Sequence, residues 1–455
     1  MTTTALPNSM VLNVPTAATN PYVYSKDDGS VGNGGDSVFN PVVKIAVEQA
    51  TVDSKYVHLR FTYTNKYWQK NANDNSIVAV SNTPVEDTAD PSCTLFEASL
   101  QSDGVVSLTH VQTGWAVLIN KSTNTLYVDE NGDATSLGFV DGDALVQLPT
   151  FIALKGDNGM YLKAFDSYGW RLQFGSDDAN DKLSAHTVTL MPDGHVQILS
   201  DHFNKFWWMA ANDSDWIYSD WNADPGSQYT TVFWPVKIDE NTIALQSKVN
   251  NNYCLRYTDA HVSDCLAARA DSLQTSARLQ VQELVMERSI YNVTYQMENA
   301  RIYGETPFLA GTATLTNTTD QEDSMAVEIT YQDEKSYSFS RGASLKAGVD
   351  VNIKAGLPFI FDEKIDISVE ISGSFDWDTT TTTATSVTAQ GSVPVPPNST
   401  VTVSYVGTKG TCNLPYTYTQ EDRSSVTGEI TYYNQTDGIY EGVSYYNFVF
   451  QVTPA

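Results

Sequence analysis

Between residues 337 and 377 apolar and polar side chains alternate with a period of two. Outbound, the odd positions run from Tyr337 through Leu345, Val349, Val351 and Ile353 to Leu357, while the even ones are Ser, Gly, Lys, Asp and Asn. Inbound, Ile365, Ile367, Val369 and Ile371 alternate with Asp366, Ser368, Glu370 and Ser372. Successive side chains of a strand point to opposite faces, so this pattern predicts a long hairpin with one hydrocarbon face and one wettable face. Between the arms stands Leu357-Pro358-Phe359-Ile360-Phe361, which reads as an apolar tip because it lacks the Gly, Asn or Asp of an exposed hairpin turn.

Elsewhere the pattern predicts many shorter strands. "VHLRFTYTNKYW" (57–68) and "VQILSDHFNKFW" (196–207) share an Asn-Lys-aromatic-Trp core, "CTLF" (93–96) answers "TTVF" (230–233), and Leu108 answers Leu245. Three matches in register mark a tandem duplication. Within the second copy Tyr161, Phe206 and Tyr253 repeat at nearly even spacing, as Tyr22, Tyr67 and Trp115 do in the first. Strand, polar turn and strand, three times over, is the pattern of a β-trefoil, whose hairpins bury their apolar faces only by packing round a common axis. The expected organisation is all-β: trefoils over 1–145 and 146–286, then an elongated antiparallel module over 287–455.

Composition narrows the function classes. The 455 residues hold 26 Lys and Arg against 54 Asp and Glu, a formal charge of -28. That argues against nucleic acid and against adsorption to anionic lipid. The N-terminal "MTTTALPNSMVLNVP" lacks the basic and apolar regions of a signal peptide, so a cytoplasmic, soluble protein is expected. Cys93, Cys254, Cys265 and Cys412 are too few for a disulfide scaffold, and reduced thiols are expected, although Cys254 and Cys265 could meet across a hairpin. The six histidines show no zinc-like spacing, and no P-loop, nucleophile elbow or dinucleotide turn is present. No enzyme, metal or cofactor is expected.

Half-buried strands alternate routinely, so core sheet is the ordinary account of the 337–377 hairpin. Three features favour a membrane instead. Each arm supplies the ~9–11 residues of a tilted spanning strand, charges are kept off the apolar face except at Arg341, which would sit near the interface end where it costs least, and the tip looks apolar. A single hairpin in lipid would leave two unpaired edges, so several chains would have to close one barrel. Asp350, Lys354, Asp366 and Glu370 would then face a mildly acidic lumen.

The paired modules, with "FNPVVKIAVEQ" and "NKYW…CTLFEASL…VSLTHVQTG", resemble the agglutinin domains of amaranthin-like plant lectins. The remainder, with "ELVMERSIYNVTYQMENARIY", resembles the aerolysin-like module fused behind such lectins. The resemblance implies β-trefoils, galactose/N-acetylgalactosamine-type glycans as partners, a β-pore-forming module acting as a homo-oligomer at membranes, and a role in plant defence. It also implies sugar contacts. Aligned without gaps, Trp216 and Asp215 fall on the family's Trp and Tyr positions, with Ser214 and Asn212 beside them and Trp221 close by. Ile77 falls opposite Trp216 in the first copy, where Asn75 and Ser76 are the candidates. Trefoil packing accounts equally well for Trp216 and Trp221. The contrasting functional reading is a soluble oligomeric lectin whose last module is only a stalk.

Overall fold

The computed structural model describes residues 6–455 except 102, 103, 167, 168, 210–214, 223, 225, 227, 343, 344 and 346–348, and at Ser368 the backbone alone. In the first module six strands close a barrel: Ser9–Asn13, Lys44–Gln49, Tyr56–Phe61, Leu95–Leu100, Val105–His110 and Leu137–Asp141 each pair antiparallel with the next, and the last returns to the first. Three hairpins cap one end: Tyr22–Ser25 with Val31–Gly35, Lys66–Lys70 with Ile77–Ser81, and Trp115–Asn120 with Thr125–Asp129. They bridge one another in a triangle through Ser30–Val78, Ser76–Tyr127 and Gly32–Thr125. The second module repeats this plan from Phe151 to Glu283, with the triangle Arg171–Tyr218, Trp216–Ala267 and Gln173–Cys265. Both modules are β-trefoils.

The recurrent Asn-Lys-aromatic-Trp phrase has a local cause. Asn65 and Asn204 hold the left-handed turn residue at φ 54° and 53°, a conformation asparagine tolerates and branched residues resist. Three residues on, Trp68 and Trp207 are fully buried and anchor the two cores beside Phe96 and Phe233. Cys254 stands opposite Ala268 and Cys265 opposite Tyr257, so the two thiols are not cross-strand partners.

By compactness the chain forms two units. One is Met1–Ser289 with Gly342–Val351 and Glu421–Tyr433; the other is Ile290–Arg341, Asn352–Gln420 and Asn434–Ala455. Residues after 286 therefore contribute two segments to the trefoil unit, and Leu345 joins the second trefoil's core. The later strands form one eight-stranded sheet. Its order is Lys364–Phe375, Val351–Phe361, Val285–Tyr295, Ser399–Ser424, Ile430–Pro454, Asp323–Ser340 and Thr381–Val395, with Arg301–Asn317 also paired to Ser399–Ser424.

The hairpin differs from its sequence reading in two ways. Its outbound arm is not continuous. Tyr337–Ser340 end the strand that pairs with Thr381–Val395, and the arm proper begins at Val351, which leaves Val349 outside any strand. The turn is also not apolar. It falls on Asp362-Glu363, both at positive φ (46° and 62°), the backbone of a two-residue hairpin turn. Glu363 is steadied there by the Asn447 side-chain amide, which donates to its carboxylate at 3.1 Å. Leu357, Pro358, Phe359 and Ile360 are consecutive and all buried. A strand covered on both faces reads as an unbroken apolar run, which is why this one looked like a tip.

Arg288 carries a buried charge in the trefoil unit. It is 2 % exposed, and its guanidinium donates to both oxygens of Asp422 (2.7 Å each) and both of Glu283 (2.6 and 3.2 Å). Burial works against the cation, but the two carboxylates override it and hold the guanidinium above its usual value. Removing one member of such a cluster leaves the others charged and buried. Arg288→Ala should therefore destabilise the trefoil unit by about 3–5 kcal/mol. The check is the denaturant midpoint of the transition reported by Trp68 and Trp207 fluorescence, which Arg288→Ala should lower and Lys55→Ala, in an exposed pair, should leave in place.

Candidate functional site

Two places in the structure answer to the functional residues expected from sequence. The first is the hairpin. On the inner arm Val351, Ile353, Ala355, Leu357, Phe359 and Ile360 are each 6 % exposed or less. Several polar contacts pin its end. The Pro358 carbonyl accepts from the Tyr440 hydroxyl at 2.7 Å and from the Cys412 thiol at 3.7 Å. The Ile360 N–H donates to Ser444 Oγ at 3.0 Å, and the Tyr295 hydroxyl donates to the Gly356 carbonyl at 2.5 Å. Burial pushes both phenols well above their ordinary value and the Cys412 thiol up to about 12, so all three keep their protons. The approach is so close that a Cβ at Gly442 would sit 2.8 Å from the Pro358 oxygen.

The return arm is different. Lys364–Phe375 is an edge strand, and Ile367 (46 %), Val369 (43 %) and, just before the turn, Phe361 (67 %) are exposed, with Ile365 and Ile371 half-buried. Edge strands with an apolar face in water are normally avoided because they invite pairing. The wettable faces of the two arms meet in a Lys354–Glu370 ion pair at 3.5 Å.

The second place is the cap hairpin Lys205–Met209 and Ile217–Trp221 of the second trefoil. Asn212 and Ser214 lie outside the described residues. Asp215 is paired to Arg269 at 3.1 Å. Trp216 is 7 % exposed, packed against Val262, Cys265 and Ala267, with the Tyr257 ring at 5.7 Å and the Arg171 guanidinium 5.5 Å from its centroid. Among the described residues it is thus a packing residue. Trp221 is half-buried and belongs to a cluster that sequence reasoning only partly named. Trp208 lies 5.6 Å from both Tyr218 and Trp221, and its indole N–H donates to Asp220.

The register also corrects the alignment of the copies. Ser76 bridges Tyr127 as Trp216 bridges Ala267, and the Asn75 and Asp215 carbonyls accept from Val128 and Ala268. Ser76 is therefore the counterpart of Trp216, and buried Ile77 that of buried Ile217. The loop of the second copy is one residue longer, which a gapless alignment cannot see. Cross-strand pairs Gln69–Val78 and Tyr67–Ser81 then answer Trp208–Tyr218 and Phe206–Trp221, so the half-exposed aromatic cluster is a property of the second copy alone.

With this geometry in place, the agglutinin domain family matches the chain twice, over 18–136 and 146–285. The chain belongs to the agglutinin family. The family of Clostridium epsilon toxin ETX and Bacillus mosquitocidal toxin MTX2 matches 246–448, overlapping the last third of the second trefoil. The architecture is thus that of lectin modules followed by a pore-forming-toxin module. Among solved structures the chain is similar to a lamprey immune protein, at 15 % identity and a TM-score of 0.31, covering 77 % of this chain and 87 % of that one. A mosquitocidal holotoxin matches at 10 % and 0.29, covering 63 % and 35 %. An aerolysin-like protein of Bombina maxima matches at 10 % and 0.26, covering 37 % and 99 %. Among curated proteins no relative matches. Among the described residues no helix is long and apolar enough to cross a membrane.

Tyr440→Phe removes the shorter of the two bonds to the Pro358 carbonyl and so tests the pinning. Losing a buried bond costs about 1–3 kcal/mol. Amide exchange over 351–361 should accelerate by roughly five- to a hundredfold if the arm opens locally. Unchanged exchange there would show that the arm is held by packing alone.

Proposed function

We propose that this lectin–toxin chain is a glycan-targeted pore former. Its agglutinin modules bind galactose/N-acetylgalactosamine-type glycans on a membrane, chains assemble into a ring, and each contributes the 351–375 hairpin to a common β-barrel. The observation that carries this reading is the return arm, an apolar edge strand left in water beside an arm whose apolar face is fully covered. In the barrel Val351, Ile353, Ile365, Ile367, Val369 and Ile371 face lipid, Lys354, Asp366 and Glu370 face water, and the charged Asp362-Glu363 turn crosses the membrane. Ring assembly also supplies the avidity that weak single-site sugar binding needs. A role in plant defence fits such an activity.

The polar turn favours a second reading on one point. A soluble oligomeric lectin with a stalk has no need of an apolar tip, and the tip here is charged apart from Phe361. The return arm separates the two. Val369→Lys lies on an exposed position, so folding and glycan binding should be unchanged. A cation on a lipid-facing barrel position costs roughly 2–4 kcal/mol per chain near mid-bilayer. Dye release from liposomes carrying a galactosyl/N-acetylgalactosaminyl glycolipid should fall at least tenfold for Val369→Lys; full release would remove the hairpin from the pore.

For the lectin half, the half-exposed Trp208–Tyr218–Trp221 cluster with Asp220 is the sugar surface, in place of the buried Trp216. An aromatic face offers a platform for the C–H side of a pyranose, and the carboxylate accepts from its hydroxyls. Trp221→Ala should weaken capture of the same liposomes by about tenfold, while Ser81→Ala at the matching position of the first copy changes nothing. Equal capture by both variants would place sugar binding elsewhere.

A further inference from the structure

The trefoil unit contains a cavity of about 500 Å³ away from the aromatic cluster. One wall is the second trefoil: Phe151 opens its first strand, and Asp201 with His202 forms the turn after Val196–Ser200. The other wall is the turn joining the two longest strands of the chain, Ser399–Ser424 and Ile430–Pro454, which presents Val426 and Glu429. This turn is seated on the trefoil by the Ser425 N–H, which donates to the Leu284 carbonyl at 3.1 Å, and by Val426 packed against Ala153, Ala179, Ala185 and Leu284.

The lining is mixed in a particular way. Phe151, 38 % exposed, offers a ring face, and Leu284 and Val426 supply aliphatic wall. Asp201 is fixed by the Thr187 hydroxyl, which donates to it at 2.6 Å, and by the Thr187 backbone, so its carboxylate is oriented at the cavity wall. Burial raises its carboxyl above the usual range, as in a recess poorly reached by water. Two carboxylates against the single Lys182 disfavour an anion. The volume lies within the ~300–1,000 Å³ of small-molecule clefts and admits one or two pyranose rings.

We infer that this cavity is a second saccharide site, for a neutral mono- or disaccharide, whose occupancy clamps the 424–429 turn to the second trefoil. A ligand that touches both walls binds only while the turn is seated, so by linkage it stabilises that arrangement. The turn joins the two longest strands, and free sugar in the cavity therefore opposes any rearrangement that unseats that turn. Sugar at the aromatic cluster brings the protein to a surface; sugar in the cavity holds it in its folded, water-borne form. The choice of a saccharide rests on the lectin reading of the chain, whereas the cavity and its two walls do not.

The test is amide hydrogen exchange on the full chain with the methyl pyranosides of galactose, N-acetylgalactosamine and mannose, each titrated separately. At least one should slow exchange both in 424–431 and in 196–204. In Phe151→Ala the midpoint of that protection should rise about two- to tenfold, and in Glu429→Gln, an exposed isosteric change, it should rise as well. Protection at 217–221 should be untouched by either variant. Slowing confined to 217–221 overturns the cavity site and leaves the lectin surface standing. Slowing nowhere overturns both the cavity site and the lectin reading. Slowing at 424–431 that neither variant alters also overturns the site, because the ligand would then be acting from elsewhere.

Discussion

The apolar face of Val351–Phe361 has to be covered, and in water only the protein itself can cover it. Much of the later sheet is arranged round that requirement. Val285–Tyr295 flanks the arm on one side and the return arm on the other, while Tyr440, Ser444 and Cys412 reach its backbone from the two longest strands. The polar pins matter because the arm is a central strand. Pro358 and Ile360 are buried, and a hydroxyl or thiol that fails to meet their backbone leaves an unsatisfied buried group. Glycine at 442 is what lets Ile430–Pro454 come close enough to the Pro358 carbonyl.

The return arm shows the other side of that constraint. Ile367 packs over Gly356 and stays half in water, as does Val369. On its wettable face an exposed Lys354–Glu370 pair joins it to the inner arm, and exposed pairs contribute little. One arm is thus held by burial and directed hydrogen bonds, and the other by its backbone ladder. Only at its far end does the outer arm gain ring contacts, where Phe375 meets Phe339 at 5.4 Å and Trp377 at 5.2 Å.

How far the sequence spoke depended on whether a pattern was local. The trefoils were legible because each repeated phrase contains its own cause: an asparagine for the turn, then a tryptophan for the core. The hairpin was legible as two alternating arms but not in its ends. Asp362-Glu363 does not look like a hairpin turn, since Glu is a poor left-handed residue, and its support comes from Asn447, far along the chain. That Leu345, Val349 and Asp350 lie outside any strand was invisible because they keep the alternation of the arms on either side. Trp216 illustrates the remaining limit. Its identity suggested a sugar platform, but what decides is the company of Tyr257, Arg171 and Val262, three residues from other parts of the second trefoil.

The duplication explains why one copy and not both carries the aromatic cluster. Positions that fill the two cores are constrained alike, so Trp68 and Trp207, or Ile77 and Ile217, stay equivalent in kind and in burial. The outer face of the cap hairpin carries no such constraint. There Gln69, Val78 and Ser81 stand where the second copy has Trp208, Tyr218 and Trp221. Three large rings half in water give the fold little that smaller side chains would not, since the first trefoil closes without them. Their presence at one of two otherwise matched places is therefore not required by the closure of the trefoil.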